Sequence, residues 1–155
     1  MKKEQLKRIF DFLEEKEGHN APIRWKFKNN IPLTEEDLNV TSDLNLAFSK
    51  IRSLPEGLKV AGDLNLSYTP KLKSLPSDLD VKGDIYLEGS IIESLPEGLK
   101  VGGDLDLTYT DIKSLPKGLE VGGDLYLELT TMMKYKRYEL LEMIKPGFVK
   151  GKIHR

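Results

Sequence analysis

Residues 94–113 read SLPEGLKVGGDLDLTYTDIK, and the pattern in this stretch returns along most of the chain. Aligned by one valine per copy, the repeats open at Val40, Val60, Val81, Val101 and Val121, the last stopping halfway. Most steps are 20 residues; the second copy is one longer, with Pro70-Lys71 absorbing the extra residue. A fixed period of this size marks a solenoid and has to be read before any local signal.

Each copy carries a short strand signal. The five are Asp43-Leu44-Asn45-Leu46, Asp63-Leu64-Asn65-Leu66, Asp84-Ile85-Tyr86-Leu87, Asp104-Leu105-Asp106-Leu107 and Asp124-Leu125-Tyr126-Leu127. The period-two alternation sends Leu and Ile into a core and Asp, Asn and Tyr outward. Strands this short are stable only when stacked, about 4.8 Å apart, in a parallel sheet.

The rest of each copy brings the chain back. The hydroxyl column Ser49, Thr69, Ser90, Thr110 and Thr130 is placed to bond the backbone of the next coil. Ile51, Leu72, Ile92 and Ile112 re-enter the core, followed by Leu-Pro at 54–55, 75–76, 95–96 and 115–116. Proline has no N–H, so this arc is neither helix interior nor central strand. Gly57, Asp78, Gly98 and Gly118 then predict a tight left-handed turn. A second glycine column, Gly62, Gly83, Gly103 and Gly123, marks the corner before each strand; the first copy has Ser42 there.

The run Leu105-x-Leu107-x-x-Thr110-x-Ile112-x-x-Leu115-Pro116 resembles the leucine-rich repeat, especially its short bacterial type, over about residues 40–130. Ser or Thr stands where that family's turn has Asn, and a Val-x-Gly-Asp corner precedes the strand, so a hydroxyl ladder is expected in place of an asparagine ladder. The resemblance implies an α/β solenoid: a right-handed coil with a concave parallel β-sheet and extended or 3₁₀ segments opposite. It also implies binding of other macromolecules, usually proteins, through the concave side.

The flanks predict helical caps at both ends, dividing the chain into an N-terminal cap (1–39), the repeats (40–130) and a C-terminal capping helix with a basic tail (131–155). Over Lys3–Lys16, Leu6, Ile9, Phe10 and Leu13 form one apolar stripe, with Gly18 as the stop. His19–Pro22 is expected as loop, and Ile23–Lys28 as a strand with Trp25 and Phe27 inward and Arg24, Lys26 and Lys28 outward, a basic edge. Thr34-Glu35-Glu36-Asp37 resembles a capping box. Asp37-Leu38-Asn39-Val40 matches Gly57-Leu58-Lys59-Val60, a degenerate coil feeding the first full one. Met132–Ile144 favours helix, with Met133, Leu140, Leu141 and Ile144 on one side; Phe148–Arg155 is a basic tail with strand character.

Composition narrows the chemistry. At 155 residues the chain is one domain's worth, and it has no cysteine, so disulfides, thiolate metal sites and cysteine nucleophiles are excluded together. No apolar run is long enough to span a bilayer and no apolar leader follows Met1, which makes cytoplasmic residence the expectation. There are two histidines, His19 and His154, and no metalloprotease, phosphate-loop or dinucleotide motif; carboxylates are numerous enough for an acid/base pair, but regular stacking puts them in rows rather than an enclosed pocket, so no catalytic, cofactor or metal set is expected. Charge is uneven: residues 40–130 hold 15 acidic and 9 basic residues, whereas 131–155 hold 2 and 7.

The outward strand face is the candidate site. Asp43, Asp63, Asp84, Asp104 and Asp124 form one column and Asn45, Asn65, Tyr86, Asp106 and Tyr126 the next. Ala47, Ser67, Glu88, Thr108 and Glu128 form a third, with Phe48, Tyr68, Tyr109 and Leu129 at its edge. The aspartates have two readings: hydrogen-bond acceptors that order each corner, or part of an acidic, aromatic-studded surface for a basic partner. The expected function is non-enzymatic protein binding, with Tyr86, Tyr126 and Tyr109 as anchors and Asp104, Asp106, Glu88 and Glu128 steering. A second reading is an inhibitor that mimics nucleic acid and blocks a nucleic-acid-binding effector, as small acidic phage-encoded anti-defence proteins do. A third is nucleic-acid binding through the basic tail, from Lys134 to Arg155, whose cations are interleaved with Tyr135, Tyr138 and Phe148.

Overall fold

A computed structural model describes residues 3–17, 21–29 and 31–155. The expected stop at Gly18 and the start of the loop at His19 lie outside the described residues. The chain begins with helices α1 (Lys3–Glu17) and α2 (Ala21–Lys28). It then winds as a β-solenoid in which each coil contributes two strands of two residues.

The first strand of each coil is the residue before the aligned valine together with that valine: β1 (Asn39–Val40), β3 (Lys59–Val60), β5 (Asp80–Val81), β7 (Lys100–Val101), β9 (Glu120–Val121) and β11 (Phe148–Val149). The second is the predicted Leu-x unit: β2 (Leu44–Asn45), β4 (Leu64–Asn65), β6 (Ile85–Tyr86), β8 (Leu105–Asp106), β10 (Leu125–Tyr126) and β12 (Ile153–His154). The two sets form two parallel six-stranded sheets in coil order. Their register is that of the sequence alignment, with Val40 against Val60, Val81 against Val101, and Leu105 against Leu125. Where one sheet was expected there are two, joined at the Gly-Asp corner.

The core is a stack of apolar columns. Leu44, Leu64, Ile85, Leu105 and Leu125 are fully buried, as are Leu46, Leu66, Leu87, Leu107 and Leu127. The arc residues Leu72, Ile92 and Ile112 close the column from the other side. In the inner coils each such leucine has coil neighbours on both sides, so truncation to alanine, at Leu105 for example, is expected to cost about 2–5 kcal/mol.

The hydroxyl ladder does not form. The Thr69, Thr110 and Thr130 hydroxyls donate to the carbonyls of Leu66, Leu107 and Leu127 at 2.7, 2.7 and 2.6 Å, three residues back in their own coil. These bonds tighten the turn after the strand and leave the link between coils to other groups. Of the expected left-handed turns, Gly57, Gly98 and Gly118 have φ of +76°, +70° and +72°. Asp78 does not; in that one-residue-longer copy its carboxylate accepts the Gly57 N–H at 2.8 Å.

Residues 21–28 are helix, not loop and edge strand. The apolar residues Ile23, Trp25 and Phe27 satisfy both periods, because Ile23 and Phe27 are also i and i+4 on a helix. Those two pack against the core, while Trp25 meets Phe10 of α1 edge-on at 5.8 Å. The basic stripe therefore dissolves: the Lys26 ammonium bonds the Asp37 carboxylate at 2.6 Å and lies 5.2 Å from the Phe10 ring centroid. Burial alone would raise the Asp37 pKa, but the Lys26 ammonium and the Thr34 N–H and hydroxyl outweigh it and hold the carboxyl below its ordinary range. Thr34 and Asp37 exchange side-chain-to-backbone hydrogen bonds, as the capping-box reading expects, around a turn at 35–38.

After β10 the chain forms a 3₁₀ turn (Thr131–Lys134) and helix α3 (Arg137–Ile144), broken at Tyr135-Lys136 rather than continuous. Met132, Leu140 and Ile144 enter the core; Met133, expected inward, is exposed. The basic tail then completes a sixth coil as β11 and β12, pairing with β9 and β10.

Candidate functional site

The two corners of each coil decide what its outward face offers. At the first, the aspartate column forms a ladder. Oδ1 of Asp43 accepts the backbone N–H of Asp63 at 2.8 Å, Oδ1 of Asp63 that of Asp84, and the series runs through Asp104 and Asp124 to the N–H of Lys152 at 2.8 Å. One carboxylate oxygen per coil is thus committed to fastening the next coil. These are hydrogen bonds to an ionised acceptor, the stronger kind.

The ladder explains the glycine column. A Cβ at Gly103 would lie 1.9 Å from Oδ1 of Asp84, and one at Gly123 1.9 Å from Oδ1 of Asp104. The space a side chain would need is filled by the carboxylate of the coil before. Ser42 stands in the first coil, where the preceding chain arrives from α2 and a turn rather than from a corner with an aspartate. Gly151, an unrecognised member of the column, sits under Asp124 in the same way.

At Asp84 and Asp124 the second carboxylate oxygen meets a side chain of the outward face. The Tyr86 hydroxyl donates to Oδ2 of Asp84 at 2.8 Å, and that bond, helped by burial, pushes the phenol pKa up to about 12. Oδ2 of Asp124 meets Nε2 of His154 at 2.8 Å, while the His154 ring stacks on Tyr126 with centroids 4.4 Å apart. That hydrogen bond, then the Lys152 N–H, holds the Asp124 carboxyl below its ordinary value.

The next columns have local duties too. Asn45, Asn65 and Asp106 each accept the N–H two residues on, from Ala47, Ser67 and Thr108, which stops the strand. The Tyr68 hydroxyl donates to Glu88 at 2.8 Å, which raises its pKa. The Tyr126 phenol is raised by burial and by the charges of Asp104, Asp124, Asp106 and Glu128, so one tyrosine lies within the field of four carboxylates.

At the second corner, one residue after the third column, the backbone is left-handed in every full coil. Phe48, Tyr68, Tyr109 and Leu129 have φ of +57°, +53°, +55° and +57°, and Gly89 has +63°. For a bulky L-residue this conformation costs roughly 1–2 kcal/mol. It turns the side chain out of the core: Phe48 is 75 % exposed, Tyr109 65 % and Leu129 69 %. The Phe48 and Tyr68 rings stack at 5.1 Å, and Tyr68 leans over Gly89, where a Cβ would fall 2.5 Å from its ring.

Every predicted site residue therefore lies on the outward face of the second sheet, in register: Asp43, Asp63, Asp84, Asp104 and Asp124 in the ladder, Tyr86, Asp106 and Tyr126 beside it, then Glu88 and Glu128, with Tyr109 at the edge. His154 was missed as a neighbour of this face; the signal was the match of Val149-Lys150-Gly151-Lys152-Ile153-His154 to Val121-Gly122-Gly123-Asp124-Leu125-Tyr126. In the tail, Arg137 and Arg155 donate to the carbonyls of Gly151 and Tyr135, and Lys145 pairs with Glu142. Among the described residues no cluster of His, Cys, Asp or Glu has the arrangement of a metal site, and no helix is long and apolar enough to cross a membrane. The sequence matches no family model, and neither curated proteins nor solved structures show significant similarity to it.

Proposed function

We propose that this chain is a non-enzymatic binding module of the leucine-rich-repeat kind, with α1–α2 and α3 capping its ends, and that it recognises a basic protein through the outward face of its second sheet. The observation that carries this reading is the knuckle column. Four large apolar side chains are held outward by a strained backbone, directly beside rows of carboxylates. Strain of this kind persists where something beyond stability favours it. Exposed aromatic anchors flanked by charge are what a protein interface uses. An interface of ordinary size buries about 800 Å² on each side, and a face spanning six strands offers it.

The ladder divides the labour. Asp43, Asp63, Asp84, Asp104 and Asp124 hold the coils, and their charge contributes to the field. Asp106, Glu88 and Glu128, which do not fasten one backbone to the next, steer association, with Tyr86, Tyr109 and Tyr126 as anchors. A photo-crosslinking residue at Tyr109, compared with one at Lys59 on the other sheet, identifies the partner in extracts of the native cell. With that partner purified, Asp106→Lys with Glu128→Lys is expected to slow association at least about tenfold and to flatten its salt dependence, since rim charges act mainly on the on-rate. Association unchanged in rate and salt dependence would exclude this face.

A further inference from the structure

On the arc that leaves the first coil, the charge pattern inverts. A cleft of about 740 Å³ opens between the end of α2 and the segment 48–53. Its walls include Phe27, Ile31, Leu33, Phe48 and Ile51. Its charged lining is cationic: Lys26, Lys28, Lys50, Arg52 and Lys71 contribute beside the neutral Ser49 and Ser53, and no carboxylate does. Lys26 is neutralised by Asp37. The other four cations have no acidic partner among the described residues, although the repeats carry 15 acidic residues against 9 basic ones. Three of those nine basic residues, Lys50, Arg52 and Lys71, thus converge on one cleft of an otherwise acidic solenoid.

The cleft also has a flat aromatic wall. Phe48 stacks on Tyr68 of the following coil, is 75 % exposed, and lines the cleft together with Phe27. The strained φ of +57° is what projects that ring. A volume of this size falls within the range of small-molecule sites, about 300–1,000 Å³. Convergent Lys and Arg side chains recognise phosphate oxygens, and an exposed ring face offers a stacking platform to a flat heterocycle.

We propose that this cleft is a ligand site for a small organic polyphosphate bearing an aromatic ring, of the nucleoside diphosphate class, with the phosphates on Lys28, Lys50, Arg52 and Lys71 and the base on Phe48. The cleft shares Phe48 with the knuckle column but none of Asp106, Glu88 and Glu128, so charge reversal at Lys50 and Arg52 tests it apart from the partner-binding reading.

Calorimetric titration of the full chain with ADP, inorganic pyrophosphate and adenosine tests it, with the single tryptophan, Trp25 in α2, as a fluorescence reporter for the pyrophosphate arm. ADP is expected to bind saturably and more tightly than either fragment. Lys50→Glu with Arg52→Glu, at two exposed positions and with an unchanged melting temperature expected as the control for folding, is expected to weaken ADP at least about tenfold, the loss of one or two charge-assisted contacts. Phe48→Gly is expected to weaken ADP while leaving pyrophosphate unchanged. No saturable ADP binding, or ADP binding indifferent to the double charge reversal, would overturn the proposal. So would a short single-stranded oligonucleotide that binds the cleft more tightly than ADP, which would make this a nucleic-acid groove.

Discussion

At the scale of single residues, two departures from ordinary side-chain rules carry the structure. One is a glycine that is there because a carboxylate from the coil before occupies its side-chain space. Gly103→Ala is expected to destabilise the fold by about 2–4 kcal/mol, the range of overpacking in a rigid site, because the new Cβ would fall 1.9 Å from Oδ1 of Asp84. In an Asp84→Ala background that oxygen is gone, and the penalty is expected to shrink by about 1–3 kcal/mol. Urea denaturation of the four-member cycle measures it; equal penalties in both backgrounds would show that the carboxylate is not the obstacle. The other departure is the left-handed knuckle. Tyr109→Gly removes backbone strain worth roughly 1–2 kcal/mol and adds the flexibility cost of glycine, about 0.5–1 kcal/mol. A net effect between about zero and a stabilisation of about 1.5 kcal/mol is expected, together with weaker partner binding. Stabilisation with binding intact would mean that the strain serves something else.

At the scale of elements, the strands are too short to announce themselves singly. The Leu-x-Leu units were legible because Asp, Leu and Asn or Tyr alternate over four residues. The Val strands were not legible as strands: the valines stood out only as the column that aligns the copies, since a pair such as Lys59-Val60 contains one step of alternation. Helix α2 was misread because Ile23, Trp25 and Phe27 fit a two-residue period as well as a helical one, and only the surface that Ile23 and Phe27 meet decides between them. The sixth coil was hidden by its spacing: Val149 follows Val121 by 28 residues, because a 3₁₀ turn and α3 are inserted between β10 and β11. That coil brings its own anchor. Asp124 is held below its ordinary pKa of 3.8 by His154 first, so its contribution to stability is present above 3.8 and is lost as pH falls through the lower folded value. His154→Phe keeps a ring to stack on Tyr126 and removes the hydrogen bond. The acid unfolding midpoint, followed by circular dichroism, is expected to move to higher pH; a midpoint that stays or falls would show that the pair does not stabilise the acid side.

At the scale of the whole molecule, one solution is repeated rather than varied. Parallel two-residue strands give few backbone bonds each, and a stack built from them gains its cohesion from what recurs in every coil. Here that is a buried leucine column on the inside and a carboxylate-to-amide ladder at the corner. The columns themselves were visible in the alignment of the repeats; which oxygen met which amide was not, because a column of aspartates is compatible with both a fastening and a binding role. The geometry commits Oδ1 of every ladder aspartate to the next coil and, at Asp84 and Asp124, gives Oδ2 to a side chain of the face. An acidic surface is thus a consequence of how the coils are joined, and the tyrosines and knuckles beside it are placed by the same repeat.

The ladder is tested most directly by amide hydrogen exchange read by NMR. The amides of Asp63, Asp84, Asp104, Asp124 and Lys152 are expected to be protected to the level of the core strand amides of Leu64 and Leu105, and Asp104→Ala is expected to release the Asp124 amide ahead of the other four. Five amides exchanging as freely as those of an open turn, or an Asp124 amide unmoved by loss of the Asp104 carboxylate, would contradict the claim that one aspartate per coil fastens the next.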